Sequence, residues 1–144
     1  MEYLRAQIRS QIAGRLSALV PEHITEVVDD LDRLHEDDEI PLVGFDLGDE
    51  EIETLANHGG ADQILYGRQT VLQVVVAANT RDQMESMLEE LEKRMASVYG
   101  IQFDAHLRGV RPQKSDEGSK RIYAADVTYT INYKSWSGSP DQFA

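Results

Sequence analysis

Gln63-Ile-Leu-Tyr-Gly-Arg-Gln-Thr-Val-Leu-Gln-Val-Val-Val-Ala-Ala78 decides how this chain folds. It is rich in β-branched and aromatic residues, and such side chains fit a pleated, half-buried surface better than a helix. Sixteen residues at roughly 3.3 Å each would span some 50 Å. A compact domain of this chain length has a radius of gyration near 15 Å, so its diameter stays under about 40 Å. The strand must therefore bulge, bend or leave the core as a hairpin arm. Its natural partner is the preceding apolar stretch Ile40–Leu47, in which Val43, Phe45 and Leu47 share one face. Gly67 and Arg68 place the projecting half first and the buried half at Val71–Ala78.

On the C-terminal side, Thr80–Tyr99 carries the clearest helical pattern. Thr80 and Gln83 stand in capping-box relation, and Asp82 suits the positive end of the helix. Met84, Met87, Leu88, Leu91, Met95 and Val98 form one stripe, and Gly100 stops it. Methionines at this spacing are core filler. Ile101–Val110 and Arg121–Lys134 follow as a hairpin. In the second strand Tyr123, Ala125, Val127, Tyr129, Ile131 and Tyr133 alternate with polar or small residues, so one face is buried and the other wet. The polar stretch Arg111–Lys120 is expected as a flexible loop, and 135–144, rich in Ser, Gly and Pro, as a flexible tail outside the core.

On the N-terminal side, Leu4, Ile8, Ile12, Leu16 and Leu19 recur at helical spacing before Pro21. Asp49–Asp62 is polar, contains Gly59-Gly60, and reads as a long connection or the tip of an arm. Glu22–Glu39 fits a short helix or a ragged strand equally well. The order predicts an α+β fold: a mostly antiparallel four-stranded sheet with two helices packed on one face, plus a long hairpin arm. Residues 1–134 are expected as one domain, with 135–144 as the tail. A helix crossover between Ala78 and Ile101 must be right-handed if the strands it joins are parallel.

The chain has 144 residues, no cysteine and a net charge of −12. Absent cysteine excludes a disulfide scaffold, a thiolate metal site and a cysteine nucleophile. Between Glu22 and His58 there are 14 acids and one base, Arg33. That charge opposes nucleic-acid binding, which needs clustered Lys and Arg. Asp37-Asp38-Glu39 suggests a metal site but lacks the order of a calcium loop, and a solvated acidic surface explains it better. His23, His35, His58 and His106 lie on different elements without ligand spacing. No nucleophile elbow, phosphate loop or dinucleotide fingerprint occurs. Asp126, on the wet face of its strand, is explained by a cross-strand partner. No catalytic residue, metal ligand or cofactor is assigned, and the expectation is a non-enzyme. Met1–Arg5 lacks the basic-then-apolar order of a signal peptide, and no stretch nears the roughly 20 apolar residues of a membrane helix. An intracellular protein, or a particle component assembled in a cell, is expected.

Certain local patterns, in this order, resemble the tail terminator (tail completion) proteins of long-tailed bacteriophages. They are the opening helix Leu4-Arg5-Ala6-Gln7-Ile8-Arg9 ending near Leu19, and Ile40-Pro41-Leu42-Val43-Gly44-Phe45 followed by acidic Gly48-Asp49-Glu50-Glu51. Val71–Ala78 running into Arg81-Asp82-Gln83-Met84 and the closing strand Asp126–Tyr133 complete the likeness, which covers about Met1–Lys134. The acidic stretch Asp29–Glu39 departs from it. The resemblance implies a structural virion protein at the tail–neck junction, assembled in the host cytoplasm. Six copies would form a ring that caps the tail tube, ends its polymerisation and offers the surface for head-connector docking. Its partners would be its own copies, the tail tube protein and the connector proteins, with genome DNA passing through unbound and no membrane involved. In such a ring Asp37, Asp38, Glu39, Asp49, Glu50 and Glu51 are expected to line the DNA channel, because like charge repels the passing duplex. Arg111, Lys114, Lys120 and Arg121 are expected to contact the tube or connector. The alternative is a small cytoplasmic α+β ligand-binding or regulatory module.

Overall fold

Apolar alternation on successive strands, and a stripe on each helix, must be buried against one another, and they are. The computed structural model describes residues 3–17, 26–28, 41–96, 103–117 and 120–144. Its elements are α1 (Leu4–Ser17), β1 (Glu26–Val28), β2 (Leu42–Asn57), β3 (Ile64–Ala78), α2 (Arg81–Ala96), β4 (Phe103–Glu117), β5 (Lys120–Trp136) and β6 (Ser139–Phe143). The fold is α+β, with a mostly antiparallel sheet in the order β1-β2-β3-β5-β4 and β6 paired to β5. The four expected strands are β2–β5. Two additions make six: β1, parallel to Leu42–Gly44, and β6. β3 and β4 run the same way with β5 between them, so α2 joins parallel, non-adjacent strands.

Val43, Phe45 and Leu47 on β2, Leu72, Val74 and Val76 on β3, and Ala125, Val127, Tyr129 and Ile131 on β5 face the helices. Onto them α1 presses Leu4, Ile8, Ile12 and Leu16, and α2 presses Met84, Met87, Leu91 and Met95. The methionines are core, as their spacing predicts. At the start of α2, the Gln83 N–H donates to Thr80 Oγ1 at 3.1 Å, and Gln83 Oε1 accepts from the Asn79 N–H at 3.0 Å. The capping box is thus made, with Gln83 reaching one residue further back than its usual partner.

Three stretches expected outside the sheet belong to it. Asp49–Asn57 does not connect or break; it continues β2 past a bulge. Leu47 pairs with Leu72 and Glu50 with Thr70, so β2 carries one extra residue there. An extra residue reverses which alternate side chains face the core. Glu50, Ile52 and Thr54 therefore take the helix-side face, while Glu51 and Glu53 take the opposite, open face. Arg5 holds the bulge by donating to the carbonyls of Leu47 and Gly48. The hairpin closes through Gly59, whose φ of +92° suits only glycine without strain.

The expected loop Arg111–Lys120 is the end of the β4–β5 hairpin, which pairs as far as Glu117 opposite Lys120. Asp116 stands opposite Arg121 in the same ladder. Opposite charges across an antiparallel pair favour it. The projecting ribbon thus lies here, at the end of the sheet away from the β2–β3 turn. β3 stays flanked by β5 along its whole length, so its first half is no free arm.

The expected tail 135–144 completes β5, turns at Ser137-Gly138 and returns as β6. Phe143 stacks on Phe103 at 6.3 Å and meets the edge of Tyr133 at 5.9 Å. The Ser137 hydroxyl bonds the Ala61 carbonyl, tying this turn to the β2–β3 turn. At Gly138 a side chain would collide with Cβ of Asp62. Gly138→Ala is expected to cost about 1–2 kcal/mol in a urea melt, and adding Asp62→Gly to recover most of it.

Candidate functional site

Along β3 the inward row changes from Val76, Val74 and Leu72 to Thr70, Arg68 and Tyr66. Here the start of α1 covers the sheet, and an inward guanidinium must find partners or pay for burial. Arg68 Nη1 donates to Glu50 Oε2 at 3.0 Å and to the Tyr3 hydroxyl at 3.0 Å, and its Nε donates to Ser135 Oγ at 2.8 Å. The Tyr133 hydroxyl donates to the other oxygen of Glu50. The side chains of Arg68 and Glu50 are only 10% and 12% exposed. Burial alone would lower the Arg68 pKa, but the Glu50 hydrogen bond and nearby negative charge outweigh it and hold the guanidinium charged. Burial, then the bond to Glu50, pushes the Tyr133 hydroxyl well above its ordinary range, so it stays a donor. Beside this cluster Arg5 Nη1 donates to Thr70 Oγ1 at 3.1 Å. Both carboxylate oxygens of Glu50 are engaged by fixed donors. The arrangement clamps α1, β2, β3 and β5 together.

On the open face the sheet leaves two hollows. One, of about 390 Å³, is lined by Glu51, Glu53, Gln69, Asp104, Asn132 and Lys134 among others. The second, of about 480 Å³, includes Gln73, Val75, Gly109, Arg111, Asp126 and Thr128. Asp126 has the cross-strand setting its position predicts: Arg111 stands opposite it in register, and Gln113 Nε2 donates to its Oδ2 at 2.6 Å.

The two flanks of the sheet differ in charge. β2 carries Asp46, Asp49, Glu50, Glu51 and Glu53 and no base. The middle of β4 carries Arg108 and Arg111, both exposed, with Lys114 next along the strand. Among the described residues, nothing pairs with the outer edge of β4, and β1 covers only Leu42–Gly44 of β2.

The expected channel set therefore divides. Asp49 and Glu51 are exposed on β2, whereas Glu50 is turned inward onto Arg68 and Tyr133 and is removed from any channel surface. Asp37, Asp38 and Glu39 lie outside the described residues. Of the expected contact set, Arg111 is exposed, while Lys114, Lys120 and Arg121 occupy the β4–β5 ribbon with side chains outside the description. The acids of β2 and Arg111 stand on opposite flanks, separated by β3 and β5. The amino-acid pattern does not mark the cluster of Arg68, Tyr133 and Ser135, with the exposed Tyr3 at its rim. Its one sequence signal is Arg68, the lone charged residue of β3.

His58 lies against Trp136, with ring centroids 5.9 Å apart, and His106 is exposed; His23 and His35 lie outside the description. Among the described residues no three His, Cys, Asp or Glu side chains are grouped to hold a metal ion. No described helix is long and apolar enough to cross a membrane. No family model matches the chain, and comparison with the curated proteins gives no match.

Proposed function

We propose that this protein is a structural ring subunit that caps a phage tail tube, ends its polymerisation and presents the docking surface for the head connector. The observation that carries the reading is a sheet with helices on one face and, among the described residues, open edges along β4 and along β2 beyond Gly44. A sheet of this form can continue from one copy to the next. Contacts between unlike flanks close into a ring when the rotation allows. In a six-membered ring of this kind, Asp49 and Glu51 supply negative charge toward the pore, joined by the acids at 37–39. The β4–β5 ribbon projects beyond the sheet and carries Lys114, Lys120 and Arg121 to the tube end or connector. Assembly would take place in the host cytoplasm and the finished ring would sit at the tail–neck junction.

Electron microscopy of the protein mixed with polymerising tail tubes tests this directly. Six-fold rings at tube ends, with tube length fixed from the moment of addition, are expected. Tubes that keep growing with bare ends would overturn the proposal. A second reading, a ligand-binding module, draws on the 390 Å³ hollow, whose size falls within the range of small-molecule sites. It requires saturable binding of a small molecule that replacing Gln69 and Asn132 with alanine abolishes.

A further inference from the structure

The two open flanks match each other as well as differing. On β2 beyond the bulge, Ile52 points to the helix-side face and is 54% exposed, while Glu51 and Glu53 point to the open face. On β4, Leu107 and Val110 share the helix-side face and are 43% and 41% exposed. Arg111 points to the open face opposite Asp126, and Arg108 reaches the open-face Thr130, donating from Nε at 2.9 Å. Each flank thus has apolar surface on the helix side, Ile52 on β2 and Leu107 with Val110 on β4, and charge on the other, with the charges of opposite sign.

We propose that the β4 flank of one copy docks on the β2 flank of a second copy of this chain, with Leu107 and Val110 against Ile52 and Arg108 and Arg111 facing Glu51 and Glu53. This deepens the ring reading and rests on it for the number of copies. Strand direction supports the contact. β2 and β5 run one way and β3 and β4 the other. Leu107 lies level with Leu47, and Ile52 with Phe103. A translation that also slides the next copy about four to six residues along its strands therefore sets β4 antiparallel to the next β2, with like faces on the same side. Pairing like flanks about a two-fold axis would instead oppose Glu51 and Glu53 to the same acids, or arginine to arginine, which is repulsive. The edges are not uniform templates. Bulges lie at Leu107/Gly109 on β4 and at Leu47/Glu50 and Thr54/Ala56 on β2, and Pro112 lacks an N–H to donate. Bulges and proline limit edge pairing to a short window and increase local twist, which favours a curved, closing assembly over a flat, growing one. The contact assigns Arg111 and Glu51 to the subunit interface, which leaves Asp49 for the pore and the ribbon tip for tube or connector.

Cysteine trapping tests it cleanly, because the chain has no native cysteine. Full-length Ile52→Cys/Leu107→Cys protein, treated with a short bis-maleimide, is expected to give a ladder of covalent multimers ending at the closed ring. Either single variant should stay monomeric. In the double-cysteine background, Glu51→Lys/Glu53→Lys and Arg108→Glu/Arg111→Glu should each reduce the ladder at least about tenfold, and an equal mixture of the two should restore it. Circular dichroism of each variant checks that it is folded, and the β2 variant alone suffices if the β4 variant is not. No ladder from the double-cysteine protein, or equal trapping by a single-cysteine variant, overturns the contact. A ladder from protein that leaves tube growth unchanged keeps the contact and removes the tail reading. Tube capping without a ladder removes the contact and keeps the tail reading.

Discussion

Replacing Arg68 with methionine is expected to lower the unfolding free energy by about 3 kcal/mol, read from the shift of a urea midpoint. Methionine keeps much of the apolar stem but withdraws the donors that serve Glu50, Tyr3 and Ser135. Glu50, 12% exposed, is then left with Tyr133 as its partner in the cluster. The loss comes chiefly from that uncompensated buried carboxylate. Attraction in a buried pair is largely offset by the cost of removing both charges from water, so the pair itself contributes little. Arg68→Met/Glu50→Leu should therefore recover most of the stability lost in Arg68→Met. A double variant no more stable than Arg68→Met would show instead that the pair is net stabilising. Equal midpoints for wild type and Arg68→Met would show that the cluster does not hold the fold. Amide exchange should also report where the clamp acts. With its anchor through Tyr3 removed, the first turn of α1 is expected to exchange faster than α2.

What the amino-acid pattern disclosed was whatever depends on side-chain alternation over an uninterrupted stretch. Tyr123–Tyr133 and Val71–Ala78 are such stretches, and both are strands with the expected faces inward. The same logic fails at Gly48-Asp49, because one extra residue reverses the alternation while the ladder continues. A reader following Val43, Phe45 and Leu47 next expects Asp49 inward and finds no apolar signal. The residues that do turn inward are Glu50 and Ile52. Nor does alternation mark the ribbon Arg111–Lys120. Its ladder is made by backbone groups, with Asp116 in register with Arg121 and Glu117 with Lys120, and not by an apolar alternation in the sequence. At the C-terminus, Phe143 is a single aromatic whose worth depends on Phe103 and Tyr133, neither of which is near it in sequence except through the β5–β6 turn.

The clamp was hidden for the same reason. Asp49, Glu50 and Glu51 are chemically alike, and only the bulge decides which one meets Arg68. The difference between the flanks was half legible. The acid-rich stretch before His58 stood out by count, but its counterpart at Arg108 and Arg111 did not, since their strand also holds Asp104, Asp116 and Glu117. What joins Leu107 and Val110 with those arginines into one flank is their position at the outside of the sheet, a property of strand order.

Raising the pH from 10 to 12 is expected to remove about 2 kcal/mol of stability through Tyr129 alone, with Tyr133 adding in the same direction. Tyr129 is 3% exposed. Burial, with the negative charge of Glu92 second, pushes its hydroxyl up to about 12 from an ordinary 10. In the unfolded chain both hydroxyls ionise near 10, while in the folded chain they still hold their protons. Above pH 10 the unfolded state therefore binds fewer protons, so stability falls as pH rises. The contribution is complete below pH 10 and is lost toward and beyond 12. The two tyrosines separate at neutral pH. Tyr129 has no hydrogen-bond partner for its hydroxyl among the described residues, so Tyr129→Phe should leave neutral stability unchanged or up to about 1 kcal/mol higher. Tyr133→Phe removes the donor to Glu50 and should cost about 1–2 kcal/mol there. Both variants should flatten the alkaline slope, which urea melts at intervals from pH 9 to 12 measure. A wild-type slope matched by Tyr129→Phe would mean that this hydroxyl ionises as readily folded as unfolded. The core above α2 would then be open to water where, among the described residues, the sheet buries an unpartnered polar atom.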